Sequence, residues 1–257
     1  MNSNGIGTRS VKTLVLEDIA LAHVFERYGI DYCCSGDDET LEVACTRKGI
    51  ALGALVQEIE ATRSARPYSF LHSDLWDMEF LIDYIIENHH RYCKATIPVL
   101  LSQLQQLMEM QGADYPHIRP VMMLFERMTR EVEQHMRKEE MILFPYIKSL
   151  ASAAEFERRR PAAPFISVAG PIAKMEEEHL EIGQICAKLR ALLMDFKVPE
   201  GTPALYRTVV KGLQAFIKDV HQHIHLENNM LFPRARDLEA GFDARTGQPV
   251  ARVVRHV

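Results

Sequence analysis

His221–Ala235 reads HQHIHLENNMLFPRA, and Gln134–Ile147 reads QHMRKEEMILFPYI. Both stretches carry a histidine, a glutamate four residues on, and then Leu-Phe-Pro: His135 with Glu139, and His223 with Glu227. At helical spacing each pair falls on an apolar stripe with steps of 4, 3, 4, 3, 4, 3. The later stripe is Val209, Leu213, Phe216, Val220, His223, Glu227, Met230; the earlier is Val121, Phe125, Met128, Val132, His135, Glu139, Ile142. The offset between them is 88 at all seven positions. Such a stripe is the core-facing seam of a bundle helix, which predicts His and Glu stacked one above the other in a core. A single His/Glu pair is usually a solvated ion pair. Two pairs in equivalent buried positions are another matter, because an ionised carboxylate taken out of water must be paired or bind a cation.

If two helices match at 88, their partners should match too. Ile86, His90, Cys93, Ile97, Leu100, Leu104 and Leu107 align with Met175, His179, Ile182, Cys186, Leu189, Leu193 and Phe196 at an offset of 89. The steps are the same and a histidine stands second in each. Choosing His89 instead would align Gln103 and Gln106 with Leu193 and Phe196, so His90 is the residue predicted to face inward. Height agrees. His90 lies 19 residues before an expected helix end at 109, and His135 lies 18 residues after an expected start at 117. His179 and His223 match likewise, so four histidines and two glutamates are predicted to share one layer of the bundle.

The remaining sequence frames this bundle. At 257 residues and a formal charge of −5, the chain has a sizeable core and no basic footprint for nucleic acid. No apolar run approaches the roughly 18–20 residues needed to span a bilayer, and MNSNGIGTRSVK lacks a signal-peptide core. Five cysteines in a chain this long suggest no disulfide framework, and the expected compartment is the reducing cytoplasm. The expected fold is all-α: an up-down-up-down four-helix bundle preceded by a small helical N-terminal domain. Helices are expected at about 75–109, 117–153, 168–197 and 203–238, the first capped by Ser73 or Asp74. The expected domains are 1–66, 70–239 and a flexible tail, 240–257.

Four imidazoles and two carboxylates are too many for one tetrahedral zinc and too nitrogen-rich for calcium or magnesium. They suit two transition-metal ions. With both glutamates bridging, each ion receives two His nitrogens and two carboxylate oxygens, and an oxo or hydroxo bridge leaves about one open position per ion. Iron is the natural choice for small-molecule redox chemistry, while ligand type alone leaves manganese and zinc open.

The order H…H-x3-E…H…H-x3-E, with KEEMILFP and LENNMLFP, resembles the hemerythrin-like domain. Together with YGIDYCCSG it resembles the iron–sulfur cluster repair di-iron proteins, the Repair of Iron Centers family with its ScdA-type N-terminal domain, over about residues 14–238. The resemblance implies two non-heme irons held by His90, His135, Glu139, His179, His223 and Glu227. It also implies repair of clusters damaged by nitric oxide or peroxide, with damaged iron–sulfur proteins as partners. Oxygen-carrying hemerythrins use a fifth histidine and an aspartate, and no matching H-x4-D is found, which argues against simple oxygen transport. The turn CCSGDDETL is longer than the family's usual one and lacks its second glycine.

Three function classes follow: cluster repair, reduction of nitric oxide, and sequestration of nitric oxide or oxygen, or storage of iron, without turnover. The N-terminal cysteine domain favours repair, because a gas-binding bundle alone does not need it. Cys33 and Cys34, expected on an exposed loop, are candidate delivery or redox thiols. Cys93 and Cys186 read as core packing, and Pro145 and Pro233 should kink or end their helices. His221 and His225 lie about 200° around the helix from His223 and are expected to be solvated. Glu178 belongs to a glutamate run expected on an exposed face, a metal-supporting or proton-relay role being the minority reading. The sequence leaves open whether iron leaves the site, whether the protein turns nitric oxide over, which client it serves, and whether it forms a homodimer.

Overall fold

The computed structural model of the chain describes residues 5–33, 39–65, 76–243 and 246–250. Short helices come first: α1 (Val11–Glu17), α2 (Ala22–Tyr28), α3 (Leu41–Lys48) and α4 (Leu52–Ala65). Their caps are local. Ser10 and Thr40 accept from backbone amides three residues on, and Gly29 ends α2 in the left-handed conformation (φ 63°) that glycine adopts without a Cβ penalty.

Four rods form the bundle. The first is α5 (Met78–Tyr84), a π-helical turn (Ile85–His90) and α6 (Arg91–Gln111). The second is α7 (Ile118–Lys138), a π turn (Glu139–Leu143) and α8 (Phe144–Glu155). The third is α9 alone (Ala169–Leu192). The fourth is α10 (Ala204–Leu226), a π turn (Glu227–Leu231) and α11 (Phe232–Ala240). Packing runs α6–α7–α9–α10 and back to α6, so the rods close a square. Where α10 crosses α6, a Cβ on Gly212 would stand 2.6 Å from Leu100 Cδ2, so any larger residue there requires the Leu100 side chain to shift.

The prolines do not end their helices. Phe144 and Phe232 donate to the carbonyls five residues back, Glu139 and Glu227, and Pro145 and Pro233 follow at once. A proline ring clashes with the carbonyl four residues earlier and has no N–H to offer it. The wider π turn relieves the clash, and the rods continue to Glu155 and Ala240. The extra residue also shifts the stripe. Ile85 rather than Ile86 is fully buried before His90, and Leu143 replaces Ile142, which is 46% exposed.

The first helix begins at Met78, with Asp77 as its cap accepting from Phe80 N at 2.7 Å; Ser73 and Asp74, the expected caps, lie outside the described residues. The third helix ends at Leu192, short of 197. Met194, Asp195 and Phe196 take positive φ, so Phe196 packs against the core from a turn instead of continuing the stripe. The tail expected to be flexible folds back over its described part. Phe242 is buried, Val250 N donates to Gly241 O (2.7 Å), and Arg160 N donates to Gly247 O (2.8 Å).

Apolar side chains gather into two clusters at either end of the bundle. One joins Cys93, Ile97, Phe125, Val132, Ile182 and Phe216 with the N-terminal helices; the other joins Leu81, Ile85, Phe144, Ile172, Leu231 and Phe232. Between them lies a polar layer.

Candidate metal centre

That layer holds the six residues of the repeat. His90, His135, His179, His223, Glu139 and Glu227 are each 2% exposed or less. They form two groups of four: His90, Glu139, His223, Glu227 and His135, Glu139, His179, Glu227, with all ligand atoms of a group within 4.8 Å of one another. Both glutamates belong to both groups. Glu139 places Oε1 3.2 Å from His135 Nε2 and Oε2 3.4 Å from His90 Nε2. Glu227 places Oε1 2.9 Å from His223 Nε2 and Oε2 3.1 Å from His179 Nε2. The π turns that start at each glutamate thus sit at the level of the site.

The outer ring nitrogens decide what the inner ones can do. His90 Nδ1 lies 2.7 Å from Glu140 Oε1, His135 Nδ1 3.1 Å from Glu178 Oε2, and His179 Nδ1 2.7 Å from Asn228 Oδ1. Each partner can accept from Nδ1, so the neutral ring turns an Nε2 lone pair inward. Against the effect of burial, Glu139 and Glu227 raise His135 and His223 above the usual histidine value, so a proton competes with a cation for those lone pairs. His90 and His223 then face each other Nε2 to Nε2 at 3.1 Å, and His135 and His179 do so at 2.9 Å. Glu139 Oε1 and Oε2 and Glu227 Oε2 are buried without a hydrogen-bond partner. Converging lone pairs and orphaned carboxylate oxygens suit cations, and the donor set of four nitrogens and two carboxylates fits transition-metal ions.

Charge is balanced within the layer. Burial alone would push the Glu227 carboxyl up, but His223, His135 and His179 outweigh it and hold it well below the usual range. Glu178 is held down at about 2, first by His135 and then by Lys138, with burial opposing. Glu178 is therefore not on an open face: it bridges His135 and Lys138, the outer support that metal-ligating histidines ordinarily receive. Sequence reading passed over Glu140 and Asn228, although a signal was present. Each follows its glutamate directly, the two are 88 apart, and each takes the Nδ1 proton of a histidine on a neighbouring rod.

His89 is buried but stands outside both groups, its Nδ1 3.0 Å from Asp219 and its ring stacked on His223 at 5.9 Å. His221 and His225, expected to be solvated, face the N-terminal helices instead. His225 is fully buried, its Nδ1 3.2 Å from the Tyr32 carbonyl and 2.8 Å from Asn229 Nδ2, and His221 sits edge-on to the Tyr32 ring. The side of α10 opposite the site is covered by protein rather than water. Cys33, expected to be exposed, is buried at 7%, its carbonyl accepting from Asn228 Nδ2 (3.2 Å) and its amide donating to Asp31 (2.9 Å). Cys34 lies outside the described residues. Cys93 and Cys186 pack in the core, Cys186 against Met128 sulfur. No helix of the described residues is long and apolar enough to cross a membrane.

Comparison with known proteins agrees with this geometry. Residues 81–235 match the hemerythrin HHE cation binding domain, and residues 7–63 match the ScdA_N domain, described as a domain of unknown function (DUF542). The iron–sulfur cluster repair protein YtfE of Yersinia pseudotuberculosis serotype IB (strain PB1/+) is 32% identical over 216 residues, covering 82% of this chain and 89% of the relative. YtfE of Yersinia pestis (strain Pestoides F) matches to the same extent. A cation-binding hemerythrin bundle behind an ScdA-type domain, at this identity over most of both chains, places the protein in the family of the iron–sulfur cluster repair di-iron proteins.

Proposed function

We propose that this protein is a di-iron protein that repairs iron–sulfur clusters damaged by nitrosative or oxidative stress, in the reducing cytoplasm, with damaged iron–sulfur proteins as its clients. The observation that carries the reading is the pair of buried four-residue groups that share Glu139 and Glu227. His90 and His223 would hold one iron and His135 and His179 the other, with both glutamates serving both. The relatives' name, cluster repair protein, supports the activity, and the chain spans most of their length. When bound, the two irons supply one-electron redox chemistry or replacement iron to the client.

The chain's own residues do the rest. Glu140, Glu178 and Asn228 hold three histidines with Nε2 inward. The apolar clusters on either side keep bulk water from the donors, which strengthens every charge interaction in the layer. Cys33 meets Asn228, the residue that orients His179, through its carbonyl, and this favours repair over gas binding alone. In the repair reading, Cys33 and Cys34 are the thiols that meet the client, being the soft ligands suited to iron in transit.

Anaerobic loading with ferrous iron followed by metal analysis tests the centre. About two irons per chain are expected, with near-ultraviolet absorption from a bridged ferric pair after oxidation. A single iron, or a single zinc retained in preference to supplied iron, contradicts the proposal.

A further inference from the structure

The internal repeat is broken at one informative place. Glu140 in the second rod and Asn228 in the fourth occupy equivalent positions, and each accepts the Nδ1 proton of a histidine at 2.7 Å. Glu140 turns its remaining capacity to Lys94 at the surface (2.6 and 2.8 Å). Asn228 donates its Nδ2 to the backbone carbonyl of Cys33 (3.2 Å), and Asn229 donates to the carbonyl of Tyr32 (3.3 Å). A carboxylate accepts only and would set an oxygen against the Cys33 carbonyl, whereas a carboxamide accepts on one side and donates on the other. An asparagine therefore stands where the repeat otherwise has a glutamate.

We propose that Asn228 is a positioning residue that couples metal occupancy at His179 to the seating of Cys33. The inference rests on His179 being a metal ligand. Metal on Nε2 requires the Nδ1–H tautomer, which selects the carboxamide with Oδ1 toward His179 and Nδ2 toward Cys33. When metal leaves, the ring gains access to the other tautomer, with Nε2–H donating to Glu227 Oε2, 3.1 Å away. Nδ1 then accepts, the carboxamide flips to donate to it, and Oδ1 meets the Cys33 carbonyl. Two acceptors face each other, and Cys33 lifts from Asn228. The carboxamide is the two-state element that both sites bias, and such coupling is reciprocal. A loaded centre keeps Cys33 covered, and an emptied one releases it.

The test is the alkylation rate of Cys33 in reduced full-length protein, resolved from Cys34 by fragment mass spectrometry, with iron content measured on the same samples. In wild type, removing iron should speed Cys33 alkylation at least about fivefold, the lower end of ordinary coupling between sites. Asn228→Asp keeps an acceptor for His179 and loses the donor, so it should retain about two irons while alkylating fast with or without iron. Asn229→Ala, which loses the Tyr32 bond and the contact with His225 Nδ1 (2.8 Å) but leaves the Asn228 carboxamide in place, should alkylate faster yet keep its iron dependence. A simple packing role for Asn228 moves the rate but not its dependence on iron. If Asn228→Asp slows on iron loading as wild type does, iron is acting on the thiols directly and the proposal is overturned. Should Asn228→Asp fold poorly, wild type decides alone: an iron-independent rate in protein that binds two irons overturns the coupling. Wild type that binds no iron overturns the metal reading beneath it.

Discussion

Glu227 reaches two rods with its two oxygens, Oε1 standing 2.9 Å from His223 on its own helix and Oε2 3.1 Å from His179 on α9. Glu139 does the same for His135 and His90. Removing either glutamate therefore damages both four-residue groups. Glu139→Ala or Glu227→Ala should drop iron from about two per chain to well below one, by metal analysis. His225→Ala, whose ring faces Tyr32, should keep near-wild-type iron. Equal iron loss in all three would show that the layer is not the centre.

Adjacent histidines separate site from support. His90→Ala should lose iron and perturb the spectrum, because His90 lies in a group of four. His89→Ala should keep about two irons but lose roughly 1–3 kcal/mol of stability in urea unfolding, since it removes the buried ring that partners the half-buried Asp219. The reverse pattern would mean that the first rod is rotated about its axis.

This contrast shows what the sequence makes legible. The offsets of 88 and 89 pick out the six residues that the structure gathers, because a register error rotates every residue of a stripe together. The same regularity misplaces Ile86 and Ile142. A π turn adds one residue that no fixed 4-3 step anticipates, and only the following prolines hinted at it in two of the three rods. His221, His225 and Cys33 are misread for a different reason. Their surroundings come from helices about 190 residues away in sequence, whose docking no local pattern encodes.

Glu26 predicts a pH signature at the join between the N-terminal helices and the bundle. Burial raises its carboxyl to about 7, against the Tyr32 hydroxyl bond (2.7 Å) and the nearby Arg190. The folded state therefore binds a proton that the unfolded chain releases near 4.5. Stability from this group is full below about 4.5 and falls as pH rises to about 7, by roughly 3 kcal/mol in all. Glu26→Gln should be more stable than wild type at pH 8 and should flatten the slope between pH 5 and 7. Parallel stability–pH curves for the two proteins would contradict the assignment.

Glu239, unmarked in the sequence, fastens the start of the helix that carries His179. It accepts from Tyr146 Oη (2.6 Å), Ser167 Oγ (2.6 Å) and Val168 N (2.9 Å), and Val168 is the cap of α9. Glu239→Ala leaves these donors unmet where they are buried and should cost roughly 2–4 kcal/mol, a fall in Tm of roughly 5–15 °C. A change below about 1 °C in a thermal melt would remove Glu239 from the framework.

Reactivation of a client tests the central claim most directly. An enzyme whose [4Fe–4S] cluster has been damaged by nitric oxide is mixed anaerobically with iron-loaded wild type or with Glu227→Ala taken through the same loading, and client activity is followed. Wild type should restore activity, and Glu227→Ala, lacking its share of both four-residue groups, should restore little beyond buffer containing the same iron. Equal recovery with both proteins, or none with wild type carrying two irons, would contradict the account.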